Sequence, residues 1–236
     1  MSNVFTISLK NSLRDIVLLF WSICLPLAFI IGFHYFNVTL TADSLFGLIT
    51  FSIFCQSCIT QSFSIFSQRK RGVFELLSVT PFSTWQYLSG IILSQAFLAS
   101  LIALLLLATE VSLFSITMTF EEMLLVIPLF LIEAVLFSLF GFILSRFPKD
   151  EAHLSTFTNL TMFALLLPSS IFWSLDHAPR FVQIISWINP FEWLQTGYRS
   201  ILSHVISDYQ LVLFVLVVSV FLAGWLAQKT FQLKER

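Results

Sequence analysis

Charge is what this sequence has least of. Its 236 residues carry only 12 Lys+Arg and 13 Asp+Glu, 11% of the chain, against 57% hydrophobic residues, and the mean hydropathy is +0.91. A soluble domain carries about 25% charged residues, so this apolar material is expected to meet lipid rather than fold into a water-surrounded core. The net charge of −1 excludes a general attraction to nucleic acid. None of the seven glycines is followed by Lys. Neither a Gly-x4-Gly-Lys-Ser/Thr loop nor a GxGxxG turn exists, so this chain does not itself cradle nucleotide phosphates. The four histidines (His34, His153, His177, His204) show no metal-ligand spacing. The three cysteines, Cys24, Cys55 and Cys58, all fall inside apolar runs, which argues against a disulfide framework. Cys55-Gln-Ser-Cys58 is read as small packing residues in a span. No serine has a nucleophile-elbow context. The chain is therefore expected to hold no catalytic, cofactor or metal site, and not to be an enzyme by itself.

What the sequence does contain is long apolar runs. A helix crosses the ~30 Å hydrocarbon layer with about 20 residues. Six runs qualify, roughly 16–36, 45–66, 88–109, 123–145, 153–173 and 210–228. No linker or low-complexity tract separates them, so 1–236 is expected to form a single all-α polytopic membrane domain. The first run is long and lacks a small-x-small exit, which argues against a cleavable signal peptide.

Lys and Arg orient the spans. With both termini in the cytosol, the inside holds Lys10, Arg14, Arg69, Lys70, Arg71, Arg146, Lys149, Lys229, Lys234 and Arg236, and the outside only Arg180 and Arg199. The aromatic belt agrees. Trp21, Trp85, Tyr87 and Trp225 fall near inner span ends; Tyr35, Trp173, Trp187, Trp193, Tyr198 and Tyr209 fall at or beyond outer ones. The expected location is the cell (plasma or inner) membrane.

Three further stretches stand out. In residues 3–15, Phe5, Leu9 and Leu13 form one stripe and Thr6, Lys10 and Arg14 another, the pattern of an amphipathic helix in the inner interface; a frayed tail is the alternative. Gln68–Tyr87 holds a basic run, Gly72, Glu75 and a Thr80-Pro81 break between two spans, and is expected to form a cytosolic elbow. Residues 174–209 are too apolar for a free loop and too broken for a span. Asn189-Pro190 divides them into two short helices, about 181–188 and 191–202, that dip into the outer leaflet; a surface loop is the alternative.

Polar residues inside the spans are few. Ser52, Gln56, Thr60 and Ser64 recur at i+4 on the second span, and Ser155, Thr156, Thr158, Asn159 and Thr161 cluster on the fifth. Such stripes line an amphiphilic path or join helices. Glu133 lies near the middle of the fourth span, where a charged carboxylate costs about 2.5–3.5 kcal/mol. It either faces a cavity, binding a cation or carrying a proton, or is protonated or hydrogen-bonded to a polar neighbour.

The elbow carries a resemblance. Arg69, Gly72, Glu75, Leu76, Leu77, Thr80 and Pro81, ahead of a span, look like the Arg-x-x-Gly-x-x-Glu-Leu-Leu-x-x-Thr-Pro signature of ABC-2-type ABC transporter permeases. Asn189-Pro190 with Arg199 resembles the family's Asn-Pro…Leu-Arg segment, and Phe20-Trp21 with Pro26 also fits. The departures are Gln68 and Lys70, where acidic residues often flank the arginine, and Thr196, where an acid often precedes Arg199; Glu192 stands earlier.

The resemblance implies six spans, a coupling helix between spans 2 and 3, and two re-entrant outer helices between spans 5 and 6. It implies a permease subunit of an exporter that works by alternating access. A separate ATP-binding subunit, which holds ATP and Mg, docks on the elbow (Arg69, Gly72, Phe74, Glu75, Leu76, Leu77, Thr80, Pro81). A second permease copy, identical or paralogous, pairs with this one, and the second and fifth spans line the path with Glu133 as a further candidate. Asn189, Pro190 and Arg199 belong to the outer re-entrant segment. An ATP-independent secondary transporter or channel is the alternative; it predicts more intramembrane charge and paired inverted repeats. A membrane-embedded enzyme needs clustered acids or a nucleophile, and Glu133 stands alone.

Overall fold

Apolar runs without strand-like alternation fold here into helices throughout. The computed structural model describes residues 2–14, 16–38, 41–79, 84–114, 116–171, 175 and 178–232. Among them the helices are α1 (Ser2–Arg14), α2 (Ile16–Tyr35), α3 (Ala42–Phe54), α4 (Thr60–Lys70), α5 (Val73–Ser78), α6 (Thr84–Phe114), α7 (Phe120–Leu144), α8 (Glu151–Leu166), α9 (Arg180–Ser186), α10 (Pro190–Leu202) and α11 (Ile206–Gln232). A π turn, Cys55–Ile59, joins α3 to α4. Four helical stretches are long and apolar enough to cross a membrane: Ala42–Lys70, Gln86–Phe114, Phe120–Leu144 and Ile206–Lys229. Ser22–Tyr35 is apolar but shorter.

Helix α7 is the hub, packing on α6, α11 and the α3–α4 stack. It runs parallel to that stack in steady register. The Phe54 and Phe137 rings meet edge to face at 5.2 Å. One turn further on, a Cβ on Gly141 would collide with the Cys58 carbonyl oxygen. The two backbones thus approach as closely as a small residue permits. Ser62 fixes the contact by donating to the carbonyls of Cys58 (2.7 Å) and Gly141 (2.9 Å). In the π turn the Thr60 N–H reaches the Cys55 carbonyl, one residue beyond the α pattern.

Local signals fix several helix starts. Thr119 and Glu122 form a reciprocal capping box on α7, and Asp150 accepts from the His153 N–H at 2.8 Å to start α8. That bond holds the Asp150 carboxyl below its ordinary range. Asn189 caps α10 with Pro190 in its first turn, where proline's missing N–H costs nothing.

Two expectations change. Helix α8 ends at Leu166 instead of continuing to 173. Pro168 supplies no N–H to the ladder, the Ser169 N–H turns to the Leu166 carbonyl, and the Asn189 amide donates to the end carbonyls of Leu165 (2.7 Å) and Pro168 (3.0 Å). In α1 the stripe Phe5, Leu9 and Leu13 is packed only in part: Phe5 and Leu9 meet the bundle, whereas Leu13 is exposed. The face turned to α6 carries Val4 against Gly90, Phe5 against Phe97, Ser8 against Ser94 and Ser12 against Gln95. Small and hydroxyl-bearing residues make this contact, and a purely apolar stripe does not register them.

Candidate functional site

The elbow is built by a left-handed residue. Gly72 has φ 72°, a conformation that costs an L side chain ~1–2 kcal/mol. Its N–H bonds to the Arg69 carbonyl at 3.1 Å, which stops α4 and starts α5 in a new direction. Arg69 turns back to the end of α7, donating to the Ser145 carbonyl (2.9 Å) and hydroxyl (3.3 Å), where a cation also complements the helix C-terminus. On α5, Phe74 packs edge to face on Tyr87 at 6.2 Å, while Glu75 and Leu76 are exposed. Leu77 lies on α5. Thr80 and Pro81 lie outside the described residues.

From Phe74 the contacts continue inward. The Tyr87 hydroxyl donates to Gln68 Oε1 at 2.7 Å, and Gln68 Nε2 donates to Ser64 Oγ at 3.1 Å. The elbow is thus connected to one end of the polar stripe on the second span. The other end of that stripe is buried in helix contacts. Ser52 donates to the Ser22 carbonyl (2.6 Å). Gln56 accepts from the Ser22 hydroxyl (2.7 Å) and donates to Gln95 (3.2 Å), which donates to Ser12 (2.8 Å). Thr60 and Ser64, toward the elbow end, line a cavity of about 620 Å3 bordered mainly by α1, α4 and α6. The stripe therefore has two parts: Ser52 and Gln56 join α2, α3 and α6, and Thr60 and Ser64 face open space.

The fifth-span stripe is not brought to that cavity. Asn159 is exposed on α8 and Ser155 half-buried beside it, their side chains 3.5 Å apart. Glu133 is fully buried and borders no described cavity. Its carboxyl accepts from the Tyr198 hydroxyl at 2.8 Å, and Thr50 lies beside both groups. Tyr198 is only 1% exposed and stacks on Phe46 with centroids 4.6 Å apart. It is no outer-surface anchor: α10 carries it into the bundle as far as the middle of α7.

The end of the bundle opposite the elbow is held by ions. Arg199 pairs with Asp43 (2.9 Å) and Glu192 (3.4 Å) and also donates to the Ser170 hydroxyl. Glu192 in turn accepts from the Ser170 N–H at 2.7 Å. One turn earlier in sequence than the family pattern places it, Glu192 still reaches the arginine, because positions seven apart share a helix face. Sequence reasoning missed Asp43, Ser170, Gln95 and the buried Glu110. Gln95 carried a signal, an amide in the middle of an apolar run. Asp43 carried none, because its partner is 156 residues away.

These features define a helical, multi-pass membrane protein whose described polar groups follow helix seams and a cavity. Residues 3–203 match the family model described as ABC-2 type transporter. The chain is 27% identical over 185 residues to the "Inner membrane transport permease YadH" of Escherichia coli (strain K12), covering 76% of this chain and 71% of that protein. The protein of the same name from Shigella flexneri gives the same figures. This chain belongs to the ABC-2 type transporter family, and family and relative both mark it as a membrane transport subunit.

Proposed function

We propose that the chain is the permease subunit of an ABC exporter, forming the substrate path and driven by a separate ATP-binding subunit that holds ATP and Mg. Helices α2 and α8 complete six spans with the four longer helical stretches, and the whole chain acts as one membrane domain. The basic end, with both termini, lies in the cytosol. α1 is the interface helix, α5 the coupling helix, and α9 and α10 the re-entrant outer pair. Two copies, identical or paralogous, pair so that the exposed face of α8 and the second span border the path. Nucleotide binding closes the ATPase pair, the elbow moves, and the path opens outward by a shift between pre-existing states.

The observation that carries this reading is the contact chain Phe74–Tyr87–Gln68–Ser64, which ties an exposed elbow to the polar stripe. It is tested without knowing the substrate. In a background with Cys24, Cys55 and Cys58 replaced by Ser, Asn159→Cys is labelled by a maleimide with and without ATP and vanadate, in the complex with the ATP-binding subunit that co-purifies with the chain. Labelling should change with nucleotide. In the Phe74→Asp/Glu75→Ala variant hydrolysis should persist while the labelling change disappears. A change of full size in that variant contradicts the coupling role.

A further inference from the structure

The cavity between α1, α4 and α6 has two kinds of wall. Val4, Ile7, Phe63 and Ile91 are apolar, whereas Asn11, Ser67 and Arg71 are polar, and Glu151 also borders it. Arg71, Asn11 and Glu151 belong to exposed residues and mark the side open to solvent. At the floor, Gln95 and Ser12 are committed to each other. About 620 Å3 lies within the ~300–1,000 Å3 of small-molecule sites. A free anion would use Arg71 and waste the apolar wall, and a bare hydrocarbon would use the wall alone. Further cations lie on the elements that form the cavity. Lys10 and Arg14 are exposed on α1, Lys70 lies 3.9 Å from Glu151, and a membrane surface supplies anionic phosphates to such a cluster.

We propose that this cavity binds a membrane glycerophospholipid with an anionic headgroup, its phosphate on Arg71 and its first acyl carbons against Ile7, Phe63 and Ile91. This rests on the basic end lying at a membrane surface, as under the proposed function, but not on an ATP-binding partner. The test therefore uses the full chain alone in dodecyl maltoside, followed by native mass spectrometry. Dioleoyl-phosphatidylglycerol should saturate at one lipid per chain and bind about tenfold tighter than dioleoylglycerol, as one charge-assisted phosphate contact provides. Glycerol 3-phosphate, which lacks the chains, should not bind. Arg71→Ala should abolish the preference for phosphate, and Ile7→Trp, which narrows the cavity from an exposed position, should remove the bound lipid. Equal binding of both dioleoyl compounds, an unchanged preference in Arg71→Ala, or binding of glycerol 3-phosphate alone would overturn the proposal. Loss of coupling in the elbow variant leaves this prediction standing, so the two accounts fail separately.

Discussion

The two ends of the bundle are built on opposite principles. At the end holding α10, polar groups are spent on one another: Arg199 joins Asp43, Glu192 and Ser170, Asn189 closes α8, and Tyr198 reaches Glu133. At the basic end, Glu75, Leu76 and Arg71 are exposed, a cavity opens beside α1, and the described contacts that hold the elbow are side-chain ones, Phe74 on Tyr87 and Arg69 on Ser145 among them. A segment locked by buried polar pairs resists local opening, and one with few buried contacts yields first. The difference places rigidity where the account has an outer cap and compliance where it has a transmission surface.

Breaking the locked end should cost most. Arg199→Ala leaves two carboxylates facing each other, and about 2–3 kcal/mol should be lost, a figure discounted because the guanidinium is 41% exposed. Thermal unfolding in detergent measures it, and an unchanged midpoint would erase the contrast between the ends. Tyr198→Phe should cost about 1–2 kcal/mol, because it strips the buried Glu133 carboxyl of a donor; Tyr198→Phe with Glu133→Leu should recover part of the loss. A recovery of nothing would mean that the ring packing, not the hydroxyl, holds α10 in place.

These contacts also mark where the sequence was legible. Apolar run length placed the helices, and Asn189-Pro190 placed the break before α10, because backbone geometry is a local property; the other expected break, Thr80-Pro81, lies outside the described residues. The end of α8 was not legible. Pro168 alone permits a kinked continuation, and what settles the stop is an amide from a residue 24 positions on. The depth of Tyr198 was hidden for a similar reason. A tyrosine in a short amphipathic helix reads as an interface anchor until its partner across the bundle is known. The polar stripe gave the opposite lesson. Its i+4 spacing was visible, but its division into helix-joining and cavity-lining halves depends on where α1 and α6 lie.

At the compliant end the effects should be smaller and more functional. Gly72→Ala forces a Cβ into φ 72° and should cost about 1 kcal/mol, with a larger loss of coupling than of stability. Equal losses would make the elbow a structural corner only. The smallest effect concerns Asp150. Its folded pKa is depressed by the His153 N–H, so its contribution to stability is present above the unfolded value and is lost as pH falls through the folded one. The stability gap between the wild type and Asp150→Ala should therefore close in acid and stay constant near neutrality. A gap that persists at the acid limit would rule out the ionised cap.

The contrast between the ends is tested most directly by asking which one an ATP-binding subunit touches. A photocrosslinking residue is placed at Leu76, 66% exposed on the elbow, and separately at Trp187, 76% exposed at the far end, and the complex with a co-purified ATP-binding subunit is irradiated. The account predicts a crosslinked pair from Leu76 and none from Trp187. A crosslink from Trp187, or an intact complex that never crosslinks through Leu76, would contradict it.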